Sequence, residues 1–335
     1  MGVARQYCGQ LGKQDNCQVA VSLSLATEVA SFPIAWRLYL PEAWAQDAKR
    51  RLRVGVPEAI QFQTKPEIAL AQVKTAQAAG TPGGIVLADA GYGNDTGFRD
   101  ELTEIGALYA VGVQGTASVW APGQRPLPPK PWSGVGRKPR LLRRDAEHQP
   151  VSVKALAMGL PATDYRTINW RAGSNTDLSS RFAAVRVRAA HRDHWRSELR
   201  EEEWLLIEWP EGQSEPEKYV LSTLPADTSL ERLAAVTKMR WRIERDYQDL
   251  KQEFGLAHYE GRGWRGFHHH ATLCIAAYGF LVAERLRHKD TQKNALFGPQ
   301  PALPENYVPR GRSPRPAARS QFDLDATVDH RSGVG

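Results

Sequence analysis

The chain has 335 residues, 41% of them apolar and 24% charged, which suits one large domain with an insertion or two domains. Its net charge of +7 and pI near 9.3 point to an anionic partner, of which nucleic acid is the commonest. The N-terminus has no apolar signal core, and the longest apolar run, residues 271–283, falls short of the about 20 that span a bilayer, which argues against a membrane role.

Residues 1–17 read as a loop leading into structure, with turn residues at 12–16. Residues 18–27, rich in Val, Ser and Leu, predict a strand, and 32–40 alternate as its antiparallel partner. Helical spacing over 65–79 starts with Pro66 at the opening position and stops at Gly80. Residues 85–89 form a short apolar strand ending in Asp89, followed by a helix at 94–105 and a strand at 107–113. Two antiparallel strands, a helix, a strand, a helix and a strand fit most of an RNase H-like α/β domain, provided one further strand precedes residue 1.

The middle of the chain, 114–225, changes character. Its segment 121–144 is rich in Pro and Gly, carries Arg125, Lys130, Arg137, Lys138, Arg140, Arg143 and Arg144, and contains no acid. Residues 185–188 and 204–209 predict strands of a β-rich insertion. A helix is then predicted from Ser229 to Phe254, with Thr228 and Glu231 as a capping box and Gly255 as its stop. A second long helix covers 264–287, and the proline-rich tail beyond Lys289 is expected to be disordered. Cys8, Cys17 and Cys274 contain no Cys-x-x-Cys pair and read as reduced thiols of a cytosolic protein.

Two features carry chemistry. Asp89 closes an apolar strand ahead of Gly91-Tyr92-Gly93, where α/β sheets place their sites, and a carboxylate there can hold a divalent ion. The bland alternative is a helix N-cap or turn aspartate. On the predicted helix, Arg240, Glu244, Tyr247 and Lys251 share about 60° of arc beside an apolar stripe of Met239, Ile243, Leu250 and Phe254. Glu244 there can complete a metal site, while Arg240 and Lys251 can hold phosphates. The bland alternative is a solvated face with ordinary ion pairs.

Arg240, Glu244 and Lys251 stand at the spacing of the Arg-Glu-Lys part of the Tyr-Arg-Glu-Lys signature of one large class of insertion-sequence DDE transposases. The strings at 240–253, 86–93, 38–41, 203–210 and 263–270 also resemble that family, and the likeness covers roughly residues 3–287. The resemblance implies an RNase H-like mixed sheet flanked by helices and interrupted by a β-rich insertion. It implies a catalytic domain over 1–113, incomplete at its N-terminus, the insertion over 114–225, a helical end of the catalytic domain over 226–289 and a tail over 290–335.

It further implies metal-dependent cleavage and strand transfer at insertion-sequence ends. Asp89 and Glu244 would be the second and third carboxylates around two Mg²⁺ ions, for which Mn²⁺ can substitute. Arg240, Tyr247 and Lys251, with Arg137, Lys138 and Arg140 of the basic loop, would contact double-stranded DNA. A dimer on transposon ends and target, working at the bacterial nucleoid in the cytoplasm, follows from the same likeness.

The sequence departs from the signature twice. Thr237 stands at the position of the signature tyrosine. The family's first Asp belongs upstream of a stretch like residues 2–7, where this chain starts, so a truncated and impaired enzyme is expected. Asp15, read as a turn residue, does not replace it. The competing expectations are a non-catalytic DNA-binding remnant and a structure-selective nuclease on the same fold.

Other features carry less. His268-His269-His270 with Cys274 lack a second cluster to complete four zinc ligands. Trp132, Trp170 and Trp195 can stack on bases or, the blander reading, pack a small β subdomain. Gly91-Tyr92-Gly93 lacks the third glycine of a dinucleotide fingerprint.

Overall fold

A computed structural model of the chain describes residues 1–8, 11–171, 178–294 and 322–324. In chain order the elements are β1 Ala4–Cys8, β2 Lys13–Ala26, β3 Ser31–Leu38, α1 Glu42–Ala45, α2 Ala48–Val54, α3 Lys65–Ala78, β4 Val86–Ala88, α4 Ala90–Gly93 and α5 Thr96–Glu104. Then follow β5 Tyr109–Val113, β6 Ser118–Trp120, β7 Val151–Ser152, α6 Val153–Gly159, β8 Arg166–Arg171 and β9 Leu178–Ala189. Last come β10 Glu203–Trp209, β11 Lys218–Ser222, α7 Leu230–Lys238, α8 Trp241–Gln252, α9 Trp264–Asn294 and β12 Phe322–Leu324. They form two compact units: Met1–Gln63 with the described residues from Arg242 onward, and Thr64–Trp241.

In the first unit β1 and β2 pair antiparallel from Ala4↔Cys17 to Cys8↔Lys13, and β2 pairs antiparallel with β3 from Ala20↔Leu38 to Ala26↔Ser31. The expected loop over 1–17 is therefore a β-hairpin, and Asp15 lies opposite Gln6 in its ladder rather than in a turn. Polar residues on both arms hid these strands. What holds them is backbone pairing plus Cys8, Cys17 and Val19, buried together against Tyr39. The three cysteines are buried and form no disulfide. Helix α9 runs through Asn294, and within the tail expected to be disordered Phe322–Leu324 pair in parallel with Gln18–Ala20. The remainder of that tail lies outside the described residues.

The second unit is built on one sheet in the order β4-β5-β11-β10-β9-β6-β7, with β8 also pairing β9. The β4–β5 pair is parallel and the other described pairs are antiparallel. Both faces are buried, which is why β10 reads as a continuous apolar run rather than an alternating one. Leu205 and Ile207 face a core with Val113, Val187 and Leu221, covered by Val153 and Ala157 of α6. Leu206 faces the other way with Ala110 and Phe182, covered by Leu230, Leu233 and Ala234 of α7. The strands of the predicted β-rich insertion thus extend the sheet that carries Asp89.

Helix α3 starts as expected and adds a capping box, with Thr64 Oγ1 accepting from Glu67 N and Glu67 Oε2 accepting from Thr64 N at 2.7 Å. The single helix expected over 229–254 is instead two. Its N-cap is Ser229, whose Oγ accepts from Arg232 N at 3.2 Å, so Thr228 and Glu231 do not form the box. The backbone tightens at Met239, whose N–H reaches Val236 O at 3.1 Å, and α8 restarts at Trp241. No Gly or Pro marks the break. Lys238 pins the end of α7 to β10, with Nζ 2.5 Å from Glu208 Oε1 and 4.4 Å from the Trp170 ring centroid.

Among the described residues, no helix is long and apolar enough to cross a membrane.

Candidate functional site

Asp89 sits one residue past β4 and is 8% exposed. Its Oδ1 accepts from Gly91 N at 2.8 Å, so it caps α4, and its carbonyl accepts from Gly93 N at 2.8 Å. The bland reading of a capping aspartate is thus part of its role, and it places the carboxylate at the carboxyl edge of the parallel pair. The short α4, missed from sequence, lies against β5 because two glycines allow it. A Cβ at Gly93 would stand 1.9 Å from Gly112 O, and one at Gly112 would stand 3.1 Å from Ala90 N.

Buried charge supports this turn from below. Arg99, 5% exposed, donates Nη1 to Gly93 O and Nη2 to Thr96 Oγ1 at 3.4 Å. Thr96 Oγ1 also lies 2.7 Å from His191 Nδ1. Glu203 Oε2 accepts from the Tyr109 hydroxyl at 2.9 Å. Burial pushes the Glu203 carboxyl up, and the Arg99 charge opposes that rise. Sequence reading placed residue 203 in a family-like string but had no signal that a charged side chain there is buried.

The other half of the signature lies on α8. Glu244 is exposed and Lys251 half-buried, while Leu250 is fully buried. Tyr247, expected on the polar row among the DNA contacts, is 5% exposed and packs with Leu250, Leu256, Ala271 and Tyr278. Asp246 is also buried, accepting through Oδ1 from Ser31 Oγ and from the Tyr278 hydroxyl, each at 2.8 Å. Burial raises the Asp246 carboxyl above its ordinary value against the pull of these two hydrogen bonds. The burial of Tyr247 and Asp246 shows that the buried stripe is rotated from the one periodicity suggested. Arg240 is half-buried at the end of the α7–α8 break, and Thr237 returns its hydroxyl to Ala234 O at 2.9 Å.

The histidine run is structural. Leu38 N donates to His268 Nε2 at 3.3 Å, His268 Nδ1 lies 2.9 Å from Trp264 O, and His270 Nε2 lies 2.9 Å from Gly255 O. Cys274 Sγ donates to Phe254 O at 3.1 Å. Arg137, Lys138 and Arg140 are exposed on the basic loop, whose arms meet at Leu127 and Arg143.

A parallel pair ending in a carboxylate, continued by antiparallel strands and flanked by helices, defines a mixed α/β protein consistent with an RNase H-like fold. Residues 1–177, just over half of the chain, match the family model of the DDE superfamily endonucleases, and the chain belongs to that family. Over 113 residues it is 35% identical to a probable transposase for insertion sequence element IS701 from Microchaete diplosiphon. That stretch is 33% of this chain and 27% of the relative's own length.

Proposed function

We propose that the chain is an insertion-sequence transposase that cuts and joins DNA with divalent metal ions bound by Asp89 and Glu244. The observation that carries this reading is Asp89, a mostly buried carboxylate at the carboxyl edge of β4, within the residues matched to the DDE endonucleases. Carboxylate oxygens suit a hard cation such as Mg²⁺, which completes its shell with water and substrate phosphates. Among the described residues no three His, Cys, Asp or Glu gather at one point. Bound by Asp89 and Glu244, the metal would supply charge stabilisation for phosphoryl transfer.

The remaining groups have roles of their own. Asp89 is oriented by Gly91 N, which keeps one carboxylate oxygen fixed. Arg240 and Lys251 are suited to hold phosphates near the scissile bond. Arg137, Lys138 and Arg140 would grip duplex backbone without reading sequence, consistent with the net charge of +7.

The test is a cleavage and mobility-shift assay on DNA that carries the sequences flanking the coding region. Asp89→Asn and Glu244→Gln are each expected to keep DNA binding and to lose Mg²⁺-dependent cleavage by on the order of 100-fold or more. Cleavage that survives either change removes that residue from the site. Binding without cleavage by the wild-type chain would instead favour a DNA-binding role without strand cutting.

A further inference from the structure

The turn that carries Asp89 is clamped at both ends. Asp89 Oδ1 accepts from Gly91 N and Asp89 O accepts from Gly93 N, each at 2.8 Å. At the far end Arg99 Nη1 donates to Gly93 O, one of the carbonyls that the four-residue α4 leaves without an internal partner. Gly93 itself lies against Gly112, with no room for a Cβ between them. The backbone that sets the Asp89 carboxylate is therefore tied to the Arg99 guanidinium.

Support alone does not call for an arginine there. Arg99 is 5% exposed and stands on α5 with Thr96, Phe98 and Leu102, which are buried as well. A buried guanidinium gives up its hydration, and apolar side chains of similar volume often support a fold as well as a buried ion pair does. What an arginine adds is direction, because its planar fork fixes where each N–H points. The second arm of this fork, Nη2, donates to Thr96 Oγ1 at 3.4 Å, and Thr96 Oγ1 lies 2.7 Å from His191 Nδ1.

Both anchors of the fork are firm. His191 belongs to the connection between β9 and β10, which Asp193 ties down by accepting from Trp120 Nε1 at 2.6 Å and from Arg144 Nε at 3.1 Å. Glu203 is buried on β10 and accepts from the Tyr109 hydroxyl of β5 at 2.9 Å. Among the charges that act on its carboxyl, that of Arg99 is the strongest. Helix α5 and strands β5 and β10 thus meet in one buried polar cluster under the Asp89 turn.

We propose that Arg99 is a positioning residue for Asp89: held by Thr96 and Glu203, it fixes the turn in the orientation in which the Asp89 carboxylate binds a divalent cation. The inference rests on the reading of Asp89 as a metal ligand, and it goes further by giving the buried cluster a part in metal affinity. Groups that orient a metal ligand from behind typically carry about 10- to 100-fold of affinity or activity.

Mn²⁺ binding, read from the EPR signal of the free ion, tests it on the full chain beside cleavage of DNA that carries the flanking sequences. Arg99→Met alone would strand the Glu203 carboxyl, so it is paired with Glu203→Gln, which removes both charges at similar volume. The double variant is expected to fold cooperatively, to keep duplex affinity, to bind Mn²⁺ about 10- to 100-fold more weakly and to lose cleavage in kcat rather than KM. Thr96→Val, which keeps the shape but removes the hydroxyl between Arg99 and His191, should lose Mn²⁺ affinity in the same direction by less. A folded double variant with wild-type Mn²⁺ affinity overturns the proposal and leaves the cluster purely structural. If the double variant does not fold, Thr96→Val decides, and wild-type Mn²⁺ affinity in that variant overturns the proposal. A wild-type chain that binds Mn²⁺ no better than Asp89→Asn overturns the metal reading beneath it instead.

Discussion

At the residue scale, the Asp89 turn depends on atoms that are absent. Gly93 and Gly112 let α4 lie on β5 closer than any side chain permits, since a Cβ at Gly93 would fall 1.9 Å from a backbone oxygen. Gly93→Ala should therefore destabilise the fold by about 1–3 kcal/mol or more, read from a denaturant midpoint. An unchanged midpoint would mean that the turn shifts freely. Glu203 makes a different prediction. Its folded carboxyl lies above its ordinary value of 4.5 because it is buried, with Arg99 opposing. A group raised on folding contributes most below its unfolded value, and that contribution is lost as pH rises through the folded one. Glu203→Gln, neutral throughout, should gain stability relative to wild type as pH rises from about 4.5 upward. A stability difference that is flat across this range would refute the assignment.

At the element scale, α8 shows how one helix divides its polar residues between core and surface. Asp246 is bonded to Ser31 and Tyr278, whereas Glu244, two residues earlier, is exposed. Asp246→Ala leaves two buried hydroxyls without their acceptor and should cost about 2–4 kcal/mol. Glu244→Gln should change stability by no more than about 0.5 kcal/mol, as surface substitutions do. Denaturation of the two variants separates a structural carboxylate from one available for chemistry, and similar losses in both would contradict that division. The break between α7 and α8 belongs to the same scale. Lys238 is drawn to Glu208 and Trp170, and this tertiary hold sets where α7 ends.

At the scale of the whole molecule, much of the architecture was legible in local pattern. The apolar run at 85–89 with its terminal Asp89, the Pro66 helix, the 204–209 strand and the alternating 32–40 strand all appear where periodicity and turn chemistry put them, within a few residues. Asp89 and Glu244 stood out because their residue types and spacing resemble a family signature, and family membership follows from the match over 1–177. The sequence by itself determined these things because they depend on residues a few positions apart: amphipathic spacing, a cap, a motif. Only the tertiary structure decided that 1–17 holds a hairpin, that the 229–254 helix is broken, that Tyr247 and Asp246 are buried and that Trp195 is exposed. Each depends on partners far along the chain, such as Ser31 and Tyr278 for Asp246 or Trp120 and Arg144 for the loop that lifts Trp195. A polar residue is buried when such partners satisfy its hydrogen bonds, and local spacing carries no record of them.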